Sequence, residues 1–313
     1  MIFIGIDGGG TKTAICAYEA GELIAQANAG PMNYNFIGVD AALENVMNGI
    51  LSLNIPLDKI TAVGVGDPAI DNCVSQDPSS GSYRFLKAFT ERLQAPVYIR
   101  SDAYITLFGL TGGSSPAVLM LSGTGSMGMA ENAEGQIHIV AGWGRLTGDE
   151  GSGYYIGLEG LKTALHAADG IGPDTALLQS ARSYFGAASP RDLIDLFYGE
   201  TEPDIAGFAK SVARCAQDGD PAARQVLLQA ADYLAAYTDQ LLKFSQSRLV
   251  GVYGSVICKN PIVRKAYEKK LWDKYPGLTI TEPPMDAPTA AAMYAEKCIR
   301  NKGDCLGMLE IAM

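Results

Sequence analysis

Two short glycine-rich stretches carry residue types suited to holding phosphate, Asp7-Gly-Gly-Gly-Thr-Lys-Thr13 and Ser122-Gly-Thr-Gly-Ser126. Consecutive glycines allow positive φ and let backbone N–H groups approach an anion closely. The candidate phosphate ligands are therefore Gly9, Gly10, Thr11 and Lys12 in the first stretch and Gly123 and Thr124 in the second, with Asp7 placed to meet a metal beside the phosphates. A third candidate is Asp102, directly after the stretch Val97-Tyr-Ile-Arg-Ser101, which reads as a strand. A carboxylate there can take the proton of a hydroxyl attacking a γ-phosphate, although an aspartate at a strand-to-helix junction can also serve only as a helix N-cap, worth ~1 kcal/mol. The fourth is the loop Ala141 to Gly153, with five glycines in thirteen residues and one of the two tryptophans. So costly a loop in backbone entropy is more than a connector, yet its Asp149 and Glu150 can also be read as acids favouring the start of a following helix. Together these groups suit transfer of a phosphoryl group to an alcohol.

The elements that must position them follow from periodicity. Ile2 to Ile6 reads as a strand, Thr13 to Tyr18 as a second and Leu23 to Ala27 as a third, turned at Gly21. A P-loop starting at Gly5 would need lysine where Thr11 stands, a dinucleotide fingerprint from Gly8 would need glycine where Thr13 stands, and both need a helix where a strand continues. The same strand, turn, strand, turn, strand pattern recurs from Pro116 to Val140, which points to internal duplication. Helical spacing marks Val39 to Leu51, Ser82 to Leu93 and most of Thr175 to Phe244, with strands at Ile60 to Gly66 and Leu249 to Tyr253. Strands alternating with helices make an α/β protein. Asn33 falls in a loop between sheet and helix, where asparagine is ordinarily a turn residue.

The motifs Asp7-Gly-Gly-Gly-Thr11, Leu121-Ser-Gly-Thr-Gly-Ser126 and Gly148-Asp-Glu-Gly-Ser152 resemble the N-acetylglucosamine kinase branch of the actin-like ATPase and sugar kinase superfamily, grouped with the BadF/BadG/BcrA/BcrD ATPases. The resemblance covers nearly the whole chain. It implies two actin-like, ribonuclease H-like α/β domains, each with a mixed sheet and helices, and a cleft between them. The boundaries expected are 1–113 with the last helix, 288–313, for one domain and 114–287 for the other. It implies ATP and Mg2+ as cofactors and an amino sugar, N-acetylglucosamine at its 6-hydroxyl, as acceptor, with glucosamine or another hexose as the alternative. Asp102 matches the family's catalytic aspartate. Asn33, Gly142, Trp143, Gly144 and Asp149 match its sugar-binding residues together with Asp102, and Gly254 and Ser255 match its adenosine segment. Ala206-Gly-Phe208 resembles a segment lining the nucleotide pocket. Two departures stand out: Lys259 where the family often has serine, and Asp67-Pro-Ala-Ile70 where it often presents small residues to the sugar. A carboxylate at Asp67 could recruit the amine of glucosamine. An ATP-driven activator holding an iron–sulfur cluster and a non-catalytic sugar or nucleotide sensor are the rival readings.

Composition sets the bounds. At 313 residues there is room for two domains. A net charge of −10 argues against nucleic acid or an anionic membrane as partner. The six cysteines form no C-x-x-C pair, so buried free thiols in a reducing cytoplasm are expected rather than disulfides, zinc or a cluster. The two histidines lack metal-ligand spacing, and no G-x-S-x-G element is present. Neither a basic leader nor an apolar run of about 20 residues is seen, so neither export nor a membrane anchor is expected. The expected assembly is a homodimer.

Overall fold

The computed structural model describes residues 1–70, 75, 77–199 and 203–301. Cys73, Cys305 and the expected extension of the last helix over 302–313 lie outside the described residues. The chain divides into two compact units, Met1–Ser114 together with the stretch from Pro283 onward, and Ser115–Glu282.

In the first unit, β1 (Ile2–Asp7), β2 (Thr13–Glu19) and β3 (Glu22–Ala29) form an antiparallel meander. A four-residue helix α1 (Tyr34–Ile37), helix α2 (Val39–Ser52), β4 (Ile60–Asp67), α3 (Gly81–Leu93), β5 (Val97–Ser101) and α4 (Asp102–Thr111) follow. The sheet order is β3-β2-β1-β4-β5, with β1, β4 and β5 parallel. In the second unit come β6 (Ala117–Ser122), β7 (Ser126–Glu131), β8 (Ile137–Ala141) and α5 (Gly153–Ala168). Then follow α6 (Leu177–Phe185), α7 (Asp192–Phe197), α8 (Ile205–Gln217) and α9 (Pro221–Ser245). The unit closes with β9 (Leu249–Tyr253), α10 (Ser255–Lys259), α11 (Pro261–Lys274) and β10 (Thr279–Thr281). Its sheet runs β10-β9-β6-β7-β8. Read from β8, that is the first order again, meander first and parallel strands after, so the repeat seen in the hairpins extends to whole sheets.

The chain returns to the first unit with α12 (Ala287–Arg300), which packs on β1, β4 and α4. Its alanines explain why strands otherwise rich in branched residues carry Gly5 and Gly64. A Cβ at Gly5 would overlap the Pro288 carbonyl, and one at Gly64 the Ala291 carbonyl, so helix backbone lies directly on sheet backbone. Phe3, Ala62, Tyr98, Phe108, Ala291 and Tyr294 fill this face, while Ile4, Ile6, Val65, Phe85 and Phe89 fill the other.

Three features depart from the sequence reading. Helices α1 and α10, of four and five residues, were not expected; they are too short for a 3.6-residue period to register. Cys16 and Cys215 are buried free thiols and Cys258 a half-buried one, whereas Cys298 is disulfide-bonded, contrary to the free thiol expected there.

Candidate active site

In the first unit the phosphate-type turn lies between Asp7 and Ala14, the last paired residues of β1 and β2. The turn is fastened from both sides: Gly8 N–H donates to the Gly66 carbonyl at 2.9 Å and Met32 N–H to the Gly9 carbonyl at 3.0 Å. A side chain at Gly9 would strike the Lys12 carbonyl, so glycine is required there, whereas Gly10 faces open space with Thr11 and Lys12 exposed. Among the described residues the backbone amides of Gly10 to Lys12 have no hydrogen-bond acceptor, which leaves them open to a ligand.

Asp7, Asp67 and Asp102 stand at the carboxyl ends of three adjacent parallel strands, where α/β sheets collect ligands. Burial, reinforced by the charges of Asp102 and Asp286 and opposed by Lys12, pushes Asp7 up to about 6. Asp67 is fully buried and likewise pushed up to about 6, by burial first. Asp102 is half-buried, and burial raises its pKa from the ordinary aspartate value against the pull of the Ala103 N–H. The cap reading of Asp102 is corrected by its neighbour. Ser101 is the N-cap of α4 and accepts from Tyr104 N–H, while Asp102 is the first helical residue. Its own Oδ1 accepts from Ala103 N–H at 2.7 Å. Asn33 caps α1 through a bond from Asn35 N–H to its Oδ1 at 3.1 Å, so it does make the local turn contact typical of asparagine.

No group of three or more His, Cys, Asp or Glu side chains among the described residues could hold a metal alone. Magnesium, however, characteristically takes one or two carboxylates and completes its shell with phosphate oxygens and water. Asp7, a half-buried carboxylate crowded by the charges of two others, fits that role.

In the second unit the corresponding turn is tighter, Gly123-Thr124-Gly125 between the paired Ser122 and Ser126. The loop after β8 is stapled over it. Ser122 Oγ donates to the Gly151 carbonyl at 2.7 Å, Ser126 Oγ to that of Glu150 at 2.8 Å, and Gly153 N–H to that of Gly123 at 2.8 Å. Ala141, Gly142, Gly144, Asp149 and Gly151 all have positive φ. For Asp149 this is an uncommon conformation, and it aims the carboxylate at the turn: a Cβ on Gly125 would lie 2.9 Å from Asp149 Oδ2. Burial raises the pKa of Asp149, opposed by backbone hydrogen bonds from Ser126 and Gly144. Helix α5 is capped by Ser152 and has no acid in its first turn, so Asp149 and Glu150 do not serve its start. Glu150 instead accepts from the Tyr237 hydroxyl at 2.6 Å. Trp143 is 78% exposed and Gly142 and Gly144 are exposed around it.

Gly254, at φ 104°, sits so close to this turn that a Cβ would lie 2.5 Å from the Ser122 carbonyl. The phosphate-type turn and the adenosine-type segment, some 130 residues apart, therefore share one wall. Beside them is a cavity of about 500 Å³ lined by Gly123, Thr124, Ala206, Gly207, Ser255 and Lys259, with Lys210 and Asn260 among the others. This is room enough for a nucleoside. The Ala206 segment and Lys259 thus both reach the cavity, whereas Gly125, Lys210, Tyr34 and Asp286 were not singled out from sequence. Only contacts distant in sequence reveal them.

A sequence profile of the BadF/BadG/BcrA/BcrD ATPase family matches residues 4–295. The chain is 30% identical over 311 residues to an N-acetyl-D-glucosamine kinase of Dictyostelium discoideum, covering 94% of this chain and 97% of that one. It is 28% identical over 303 residues to an N-acetylmuramic acid/N-acetylglucosamine kinase of Clostridium acetobutylicum, covering 93% and 97%. A structure solved under the name of an N-acetylglucosamine kinase from Chromobacterium violaceum superimposes with a TM-score of 0.73 at 23% identity, covering 93% and 98%, and establishes the actin-like fold.

Proposed function

Given that the chain belongs to the BadF/BadG/BcrA/BcrD ATPase family, we propose that it is an ATP-dependent kinase of an amino sugar, with N-acetylglucosamine as acceptor at its 6-hydroxyl. The observation that carries the kinase reading is Asp102. It is half-buried, raised in pKa and placed just after β5, where Ser101 and not Asp102 is the N-cap of α4. In that state it is a stronger base than an exposed carboxylate and suits removal of the hydroxyl proton as the phosphoryl group is transferred. The adenosine part of ATP is assigned to the cavity beside Gly254 and Ser255, and the phosphates to the amides of Gly9 to Lys12 and of Gly123 and Thr124, with Thr11 and Thr124 hydroxyls as further donors. Mg2+ held by Asp7 would offset the phosphate charge. Asn33, Gly142, Trp143, Gly144 and Asp149 are assigned to the sugar.

The acetylated sugar is favoured over the free amine by the state of the carboxylates. Asp67 is fully buried with both oxygens occupied, by Tyr34 and by Ala69 N–H. Asp149 is drawn to the backbone of Ser126 and Gly144. Neither offers a free anion to an ammonium group, whereas the exposed ring of Trp143 suits the methyl of a neutral acetamide. Unpaired polar groups weigh more in such discrimination than a missing methyl, itself worth about 10–200-fold. The test is kcat/KM for N-acetylglucosamine and glucosamine at equal ATP. A ratio at least tenfold in favour of the acetylated sugar is expected. A ratio favouring glucosamine overturns the acetyl assignment alone, and no phosphoryl transfer to any hexose overturns the kinase reading.

A further inference from the structure

Asp67 places a carboxylate where there is no solvent. It is 0% exposed, Tyr34 is 5% exposed, and the Tyr34 hydroxyl donates to Asp67 Oδ2 at 2.8 Å while Ala69 N–H donates to Oδ1 at 2.8 Å. Replacing such a buried polar arrangement by well-packed apolar side chains generally leaves a fold as stable or more so. Stability is therefore a poor reason for it.

Its position suggests another. Tyr34 directly follows Asn33, and Asp67 ends β4, the strand paired with β5, in register with Ser101 just before Asp102. The Tyr34 ring is immobilised on its other sides: it stacks on Phe85 at 5.4 Å, and a Cβ on Gly81 would lie 2.9 Å from it. The same segment is anchored upstream by Met32 N–H on the Gly9 carbonyl and by Thr13 Oγ1 on the Gly30 carbonyl at 2.8 Å. A chain stretch held at both ends by residues of the phosphate turn and of the β4 terminus has little freedom at Asn33, its one residue assigned to the sugar.

We propose that Asp67 and Tyr34 are positioning residues that fix Asn33 relative to Asp102 and so set the affinity for the acceptor sugar. The inference rests on the sugar-kinase reading above. It assigns Asp67 neither contact with the sugar nor a proton to transfer; the pair acts through the segment it holds. A misplacement of about 1 Å in such a group can cost on the order of 10²-fold.

The experiment is calorimetric binding of N-acetylglucosamine to the full chain, with steady-state KM and kcat for sugar and for ATP, in wild type, Tyr34→Phe, Asp67→Asn and the double variant. Tyr34→Phe removes one hydroxyl from a ring that stays packed, so folding should survive, as checked by thermal unfolding. The expected result is a sugar Kd and KM raised about tenfold or more, with the KM for ATP within about twofold of wild type and kcat at saturating sugar largely retained. Asp67→Asn should produce a similar rise, and the double variant should be no worse than the poorer single one, because both break the same link. Unchanged sugar affinity in Tyr34→Phe overturns the inference while leaving the kinase reading intact. A parallel loss of sugar and ATP affinity that tracks a fall in Tm also overturns it, as a merely structural role. Absence of sugar binding by the wild type overturns both.

Discussion

Asp102 is where chemistry and local structure separate most cleanly. With Ser101 as the cap, loss of the Asp102 charge leaves the cap bond of α4 in place and weakens only the contacts of its own carboxylate with the Ala103 and Asp102 amides. Asp102→Asn should therefore fold normally and bind ATP, yet lose about 10²- to 10⁴-fold in kcat, the usual worth of a general base. Near-normal turnover in that variant would remove Asp102 from the mechanism. Because its pKa is raised, the acid limb of kcat/KM should lie above the ordinary aspartate value of about 3.9, activity falling as pH drops through it. A limb at or below that value would contradict the burial described here. Asp7, Asp102 and Asp149 were legible in the sequence because each sits at a junction announced by its own neighbours: apolar run, acid, glycines or helix. Asp67 was read as an available carboxylate and is not one, since its partner Tyr34 lies 33 residues away. Nothing local to either residue announces the bond.

The elements show the same division between local and distant information. Strands and long helices have periods that survive in the chain, so strands such as β1, β2, β4 and β9 and helices such as α2 and α3 are legible within a residue or two, whereas α1 and α10 lack the length to show one. The glycines of β1 and β4 were legible as strand residues, but not as the floor on which α12 lies. Gly64→Ala tests that floor. Its new methyl would meet the Ala291 backbone, which can move only by lifting the helix, so a loss of about 1–3 kcal/mol or more is expected, the scale of overpacking in a close-packed core. Urea unfolding reads it directly, and an unchanged midpoint would mean that α12 is not held as closely as described.

Across the whole molecule, ionisation should make the ligand-free protein most stable on the acid side of neutrality. Asp7 and Asp67, both raised to about 6, contribute stability that is complete below the unfolded aspartate value of about 3.9 and lost as pH rises through their folded values. Asp239 works in the opposite sense. Its burial is outweighed by hydrogen bonds from Lys274, Tyr275 and Lys243, which hold it at about 2, so its contribution is present above about 3.9 and lost as pH falls. The Tm of the ligand-free protein should accordingly decline between roughly pH 4.5 and 7; a steady rise over that window would refute the assignment. At this scale the duplication of the meander was legible from two similar glycine hairpins, but the shared five-strand order was not, because β8 and β9 are separated by more than a hundred residues of loop and helix. The interrupted course of the first unit also bears on how the protein is made. Residues 115–282 are continuous and can assemble as they leave the ribosome. The earlier-synthesised β1 and β4 must wait, their Gly5 and Gly64 face uncovered, until α12 has been translated. The usual order of N-terminal domain first is thereby reversed, and the nascent chain depends on helix α12, translated after the whole second unit, to cover its first sheet.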